Sequence, residues 1–86
     1  MEKPELSYGA TGEVVDAANN AIDYAEEGDF KKALKWMKEA NVALEFLENW
    51  ETFKAAKEYV IHCMQEAGIK LTEEQLKSIG ENNCHL

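Results

Sequence analysis

Two amphipathic segments meet at Gly28-Asp29, and the helical hairpin they form is the register that the rest of the chain has to accommodate. In the first segment Val14, Val15, Ala18, Ala21, Ile22 and Ala25 recur at three- and four-residue steps, which at about 100° per residue lays them on one face of a helix. Asp16, Asn19, Asn20, Asp23 and Glu27 take the other face. Thr11 has the hydroxyl of a good N-cap, and Glu13 adds favourable charge to the first turn. Gly28 stops the helix because a residue without Cβ enters the left-handed region freely, and the Asp29 carboxylate is placed to cap the next helix. A connection this short predicts helices over 12–27 and 30–48 that pack antiparallel.

The second segment sets Phe30, Ala33, Leu34, Met37, Ala40, Leu44 and Leu47 on one stripe, with Trp36, Ala43 and Phe46 widening it to one side. Small residues of the first helix, Ala18, Ala21 and Ala25, face Ala33 and Ala40 and allow the axes to approach closely. So broad an apolar face requires a third helix. Neither Gly nor Pro occurs from Phe30 to Ala67, so local sequence permits one unbroken helix there. Periodicity opposes it. Beyond Leu47 the apolar set Trp50, Phe53, Ala56, Val60, Ile61, Met64 and Ala67 is centred about half a turn from the preceding stripe. A break at 48–51, with Asn49 as N-cap, folds the third helix back to bury both faces; the unbroken alternative implies a dimer that exchanges helices.

Gly68 ends the third helix, with Ile69 placed for the apolar contact of a Schellman motif. Thr72-Glu73-Glu74-Gln75 is a capping box, and Leu71 with Leu76 has the spacing of a hydrophobic staple, so a short fourth helix is expected over 73–79. Residues 1–10 read as an arm that Tyr8 tacks onto the bundle, and 81–86 as a polar tail. The fold class expected is all-α: a small antiparallel three-helix bundle with a short fourth C-terminal helix, forming one domain.

Charge narrows the partners. The 86 residues hold 17 acidic and 9 basic side chains for a net charge of −8, and every basic one is lysine. Without arginine there is no bidentate phosphate fork, and the summed field repels nucleic acid and anionic lipid. No stretch has the apolar length of a membrane span and no charged-then-apolar leader opens the sequence, so the chain reads as cytoplasmic. In that compartment Cys63 and Cys84 are expected to be free thiols.

The run AANNAIDYAEEGDFKKALKWMKEANVALE resembles one tetratricopeptide unit, with Tyr24, Gly28, Phe30, Ala33 and Ala40 at the spacings of that pattern and Ala21 at its small packing position. Ala17, Met37 and Glu45 stand where the pattern has two aromatics and a closing proline. A hairpin followed by a third helix is also similar to the microtubule-interacting and trafficking domain, which implies binding of short peptides. Over EEGDFKKALKWMKEANVALE the chain looks like the lactose-type phosphocarrier subunits, a resemblance that implies a phosphoacceptor role for His62, although the Gln-Asp-His sequence of that family is absent.

Candidate chemistry is sparse. His62-Cys63 and Cys84-His85 contain zinc-ligand types, but helical neighbours diverge by about 100° and do not readily chelate one ion. Cys63 is expected to be buried and His62 to lie on the polar side. Carboxylate pairs such as Glu26-Glu27 lie outside apolar runs that would raise a pKa, and Ser7 and Ser78 lack a nucleophile setting. No enzyme activity, cofactor or metal is expected. Lys31, Lys35 and Lys38 make a basic strip that reads as a solvated face or as a dock for an acidic or phosphate-bearing ligand. Glu13, Asp16, Asp23, Glu26 and Glu27, with Asp29, make a lysine-free acidic face on the first helix. Trp36, Phe46 and Trp50 are expected to form an apolar contact for another protein or a second copy. Two functions are therefore expected: a non-enzymatic, self-associating protein-interaction module, or a small acidic inhibitor of the phage or mobile-element type that mimics nucleic acid and blocks a host nucleic-acid-binding protein.

Overall fold

A computed structural model describes residues 2–6, 12–70, 72 and 74, which contain three helices and no strand: α1 (Gly12–Glu27), α2 (Phe30–Val42) and α3 (Leu47–Glu66). Helix α1 lies at the centre. It packs against both of the others, whereas α2 and α3 touch each other far less. Its sequence explains why. Val14, Val15, Ala17, Ala18, Ala21, Ile22 and Ala25 are all buried, an arc that extends beyond the single expected stripe by including Ala17. A helix with two neighbours needs that wider arc, and alanines supply it without holding the axes apart.

The expected α1–α2 turn forms. The Asp29 N–H donates to the Tyr24 carbonyl at 2.9 Å and the Gly28 N–H to Ala25 at 3.1 Å, the paired bonds of a Schellman motif. Gly28 sits at φ +87°, where a side chain would be strained. Asp29 then caps α2 by accepting from the Lys32 N–H at 3.3 Å. Helix α3 stops the same way: Ile69 N–H to Met64 carbonyl is 2.9 Å, Gly68 N–H to Gln65 is 3.0 Å, and Gly68 has φ +81°.

The second junction departs from expectation. The break exists, but α2 ends at Val42 rather than near 48, and α3 begins at Leu47. Phe46 is the N-cap, with φ −127° and ψ 162° and no side-chain cap bond, while Asn49, expected as the cap, is fully buried within the first turn of α3. Ala43 and Leu44 N–H groups bond back to Ala40 and Asn41 at 3.2 Å, and this tightened last turn leads the chain out of the helix without glycine or proline. The reason is tertiary. Leu44 turns in to pack against the core, and starting α3 at Leu47 buries Asn49, Thr52, Phe53 and Ala56 along one side. A break at 48–51 would have left that first turn outside the bundle.

Phe53, Ile22, Met37, Val14 and Val60 are the largest apolar side chains with no exposed surface, each contributing about 1.5–3 kcal/mol by burial. The 20 residues of α3, at about 1.5 Å each, account for most of the 33 Å long dimension. Residues 2–6 are less free than an arm: Leu6 packs against the core, and the Lys3 ammonium reaches Glu26 at 3.3 Å and Asp23 at 3.6 Å. Of the expected fourth helix over 73–79 only Glu74 is among the described residues, and the contact of Tyr8 lies outside them. No described helix is long and apolar enough to cross a membrane.

Candidate functional site

Three places on the bundle gather side chains that chemistry or binding would use. The first is an open cleft of about 540 Å³ beside Gly28, walled by Glu26, Phe30, Tyr59, His62, Cys63 and Glu66. Tyr59 and Cys63 lie four apart on α3, one turn above each other, and face the C-terminal end of α1. The Tyr59 hydroxyl donates to Glu26 Oε2 at 3.1 Å, while Lys3 holds Oε1 of the same carboxylate. His62 Nε2 lies 3.7 Å from Glu66 Oε1.

Tyr59, Cys63 and Lys3 are each shifted toward the protonated form. Burial first, and then the hydrogen bond to Glu26, push the Tyr59 phenol up to about 12. Burial likewise raises the Cys63 thiol, against a smaller opposing effect of its hydrogen bond with Tyr59. The Lys3 ammonium is raised by its hydrogen bond and charge attraction to Glu26. Burial thus disfavours the Cys63 thiolate, the form in which a cysteine is nucleophilic. Among the described residues no three His, Cys, Asp or Glu side chains are arranged to hold a metal. Sequence reasoning placed Cys63 in the core and His62 on the polar side; both are half-buried on the cleft wall, because α3 turns this edge toward the end of α1 rather than toward solvent.

The second place is the α2–α3 corner. Val42 is 74% exposed, Phe46 57% and Leu47 62%, the most exposed large apolar side chains described. Leu47 was expected on the buried stripe of α2. Ending that helix at Val42 carries Phe46 and Leu47 out of register with it, so they project from the corner instead.

The third is a groove of about 420 Å³ between the start of α1 and the end of α2. Trp36, Ala17, Val42 and Ala43 supply its apolar surface, and Glu13, Asp16, Glu39 and Glu45 line it as well.

The expected contact residues divide among these settings. Phe46 is exposed at the corner and Trp36 is half-buried in the groove. Trp50, like Trp36, is half-buried against the core, and it stacks on Phe53 with ring centroids 5.8 Å apart. Lys57, which sequence reasoning passed over, is 7% exposed with its ammonium 5.7 Å from both the Trp50 and Phe53 centroids. Its spacing of seven and four residues from those rings puts all three on one helical face, a signal available in the sequence. Lys31, Lys35 and Lys38 are exposed on α2, as the basic strip requires.

The acidic residues Glu13, Asp16, Asp23, Glu26 and Glu27 are all exposed on α1, but their face is not lysine-free. Lys3 folds back onto Asp23 and Glu26, and Lys32 lies 3.9 Å from Asp29. The carboxylates toward Gly28 are thereby partly neutralised, and the sequence hid this because Lys3 is distant along the chain. Compared with family models, with curated proteins and with solved structures, the chain matches none.

Proposed function

We propose that this protein is a non-enzymatic protein-interaction module that self-associates through the α2–α3 corner. The observation that carries the reading is the exposure of Val42, Phe46 and Leu47 together at one corner. Each ring or branched chain left in water forgoes about 1.5–3 kcal/mol that burial against a second copy would recover.

Sedimentation equilibrium tests the reading. The wild-type chain is expected to show a mass that rises with concentration, and Phe46→Asp with Leu47→Glu to remain helical but monomeric. A wild type that stays monomeric at about millimolar concentration, where even a −4 kcal/mol association would register, overturns self-association.

A second reading, the acidic inhibitor, is supported by the exposure of all five carboxylates along α1. It predicts salt-sensitive capture of a basic nucleic-acid-binding protein that Asp16→Lys with Asp23→Lys abolishes, since exposed charges are screened over about 10 Å at 0.1 M salt. Capture indifferent to salt and to charge reversal would remove it.

A further inference from the structure

The groove between α1 and α2 combines an apolar floor with a ring of one charge. Trp36 and Ala43 from α2 and its end meet Ala17 of α1, and four carboxylates border them: Glu13 and Asp16 on α1, Glu39 on α2, and Glu45 just beyond. Glu13 and Asp16 lie three residues apart on one side of α1, as do Trp36 and Glu39 on α2, so each helix contributes a wall of matching length. Among the described residues no basic side chain lines the groove. Elsewhere on the same helix charge is answered within the chain, by Lys3 at Asp23 and Glu26; among the described residues no lysine is paired with any of the four groove carboxylates.

From this charge pattern we infer that the groove receives a basic segment of another protein, one that seats a single large apolar side chain on Trp36 and sets flanking lysines or arginines against Glu13, Asp16, Glu39 and Glu45. The volume of about 420 Å³ falls within the range of ligand clefts. A half-buried tryptophan is a frequent anchor in protein interfaces, because it offers a large rigid surface at low entropic cost. A second copy's corner is a poor occupant. Its Phe46 and Leu47 are flanked by Glu45, Glu48 and Glu51, which would bring carboxylates against carboxylates. The inference rests on the reading of this chain as an interaction module, but not on its self-association.

Fluorescence anisotropy with a short labelled peptide, one central Phe between lysines, provides the test. A companion peptide with Ser for Phe measures the anchor. Glu13→Gln with Asp16→Asn, both on exposed side chains, is expected to raise the Kd for the Phe peptide about tenfold at 0.1 M salt. Asp23→Asn with Glu27→Gln removes the same charge further along α1, at about a Debye length from the groove, and is expected to change Kd less than about twofold. Trp36→Ala should abolish the preference for Phe over Ser; if that variant does not fold, the rim pairs and the Ser companion still decide the question. Equal weakening by both charge pairs, equal affinity for the two peptides, or no binding by the wild type overturns the inference. Binding retained by the Phe46→Asp, Leu47→Glu monomer supports it. A wild type that is monomeric and still discriminates the peptides sinks self-association alone.

Discussion

The two inter-helix junctions of this small bundle solve the same problem in opposite ways. At Gly28-Asp29 every feature of the turn is local and satisfied: a positive-φ glycine, two Schellman bonds, and an aspartate capping the next helix. At the α2–α3 corner there is no glycine, no side-chain cap, and a cluster of exposed apolar residues. One turn of α3 further on, the buried Thr52 hydroxyl has no hydrogen-bond partner among the described residues. The contrast teaches that the first junction is shaped for folding and the second is held by what lies beyond it, the core contacts of Leu44 and Phe53. Apolar surface retained at a junction that folding does not need is where a partner is best sought.

The largest effect is expected at the tight turn. Gly28→Ala meets no neighbouring atom within 4 Å, so its cost is backbone strain alone, about 1–2 kcal/mol. For a chain of this size that lowers Tm by roughly 4–8 °C per kcal/mol in thermal unfolding followed by circular dichroism. An unchanged Tm would mean that the turn relaxes as readily as the corner.

At the corner end the sign reverses. Thr52→Val keeps the shape and removes a buried hydroxyl without a partner, so a gain of about 1 kcal/mol is expected in urea unfolding. Phe46 already has the extended backbone of an N-cap, and Phe46→Asp supplies the missing acceptor for an expected gain of about 0.5–1 kcal/mol. The same substitution should weaken self-association in sedimentation, so that stability and assembly move in opposite directions. If both fall together, Phe46 contributes to the core of each protomer and the corner is not a free surface.

The last effect is confined to alkaline pH, again at the Gly28 end. Tyr59 ties α3 to Glu26, and its phenol, raised from about 10 to about 12, is protonated in the fold when an unfolded tyrosine has begun to ionise. A raised folded pKa gives stability that is fully present below pH 10 and is lost as pH rises from 10 through 12. Absorbance of tyrosinate should reveal one late-titrating phenol, and Tyr59→Phe should remove both that step and the alkaline loss. A phenol ionising at its ordinary value would show the Glu26 bond to be absent in solution.

Much of the hairpin was legible because its determinants are neighbours in sequence. Gly28, Asp29 and the alternation of Ala18, Ala21, Ile22 and Ala25 act within one turn of helix, and local geometry alone assigns them. The candidate sites were legible only in part. Trp36, Phe46 and Trp50 stand out in the sequence as large aromatics at the edge of a stripe, but the stacking of Trp50 on Phe53 beneath Lys57 shows only in the structure. The acidic face was read as continuous until Lys3 divided it, and no periodicity reveals a contact between residue 3 and residues 23 and 26.

By itself the sequence determined the helical class of the described residues, the extent of α1, the left-handed turns at Gly28 and Gly68, and the half-turn change of apolar phase that argues against one straight helix from residue 30 to 67. These follow from backbone sterics and side-chain period, which operate over a few residues. Tertiary structure decided where that phase change is resolved. With no breaker between 42 and 47, local preferences differ too little to fix a boundary, and the packing of Leu44 on the core with the burial of Asn49 and Phe53 selects Val42 as the end and Leu47 as the start. That choice exposes Val42, Phe46 and Leu47 and brings Glu39 and Glu45 alongside Glu13 and Asp16, so both proposed contact surfaces exist only once the helices have packed.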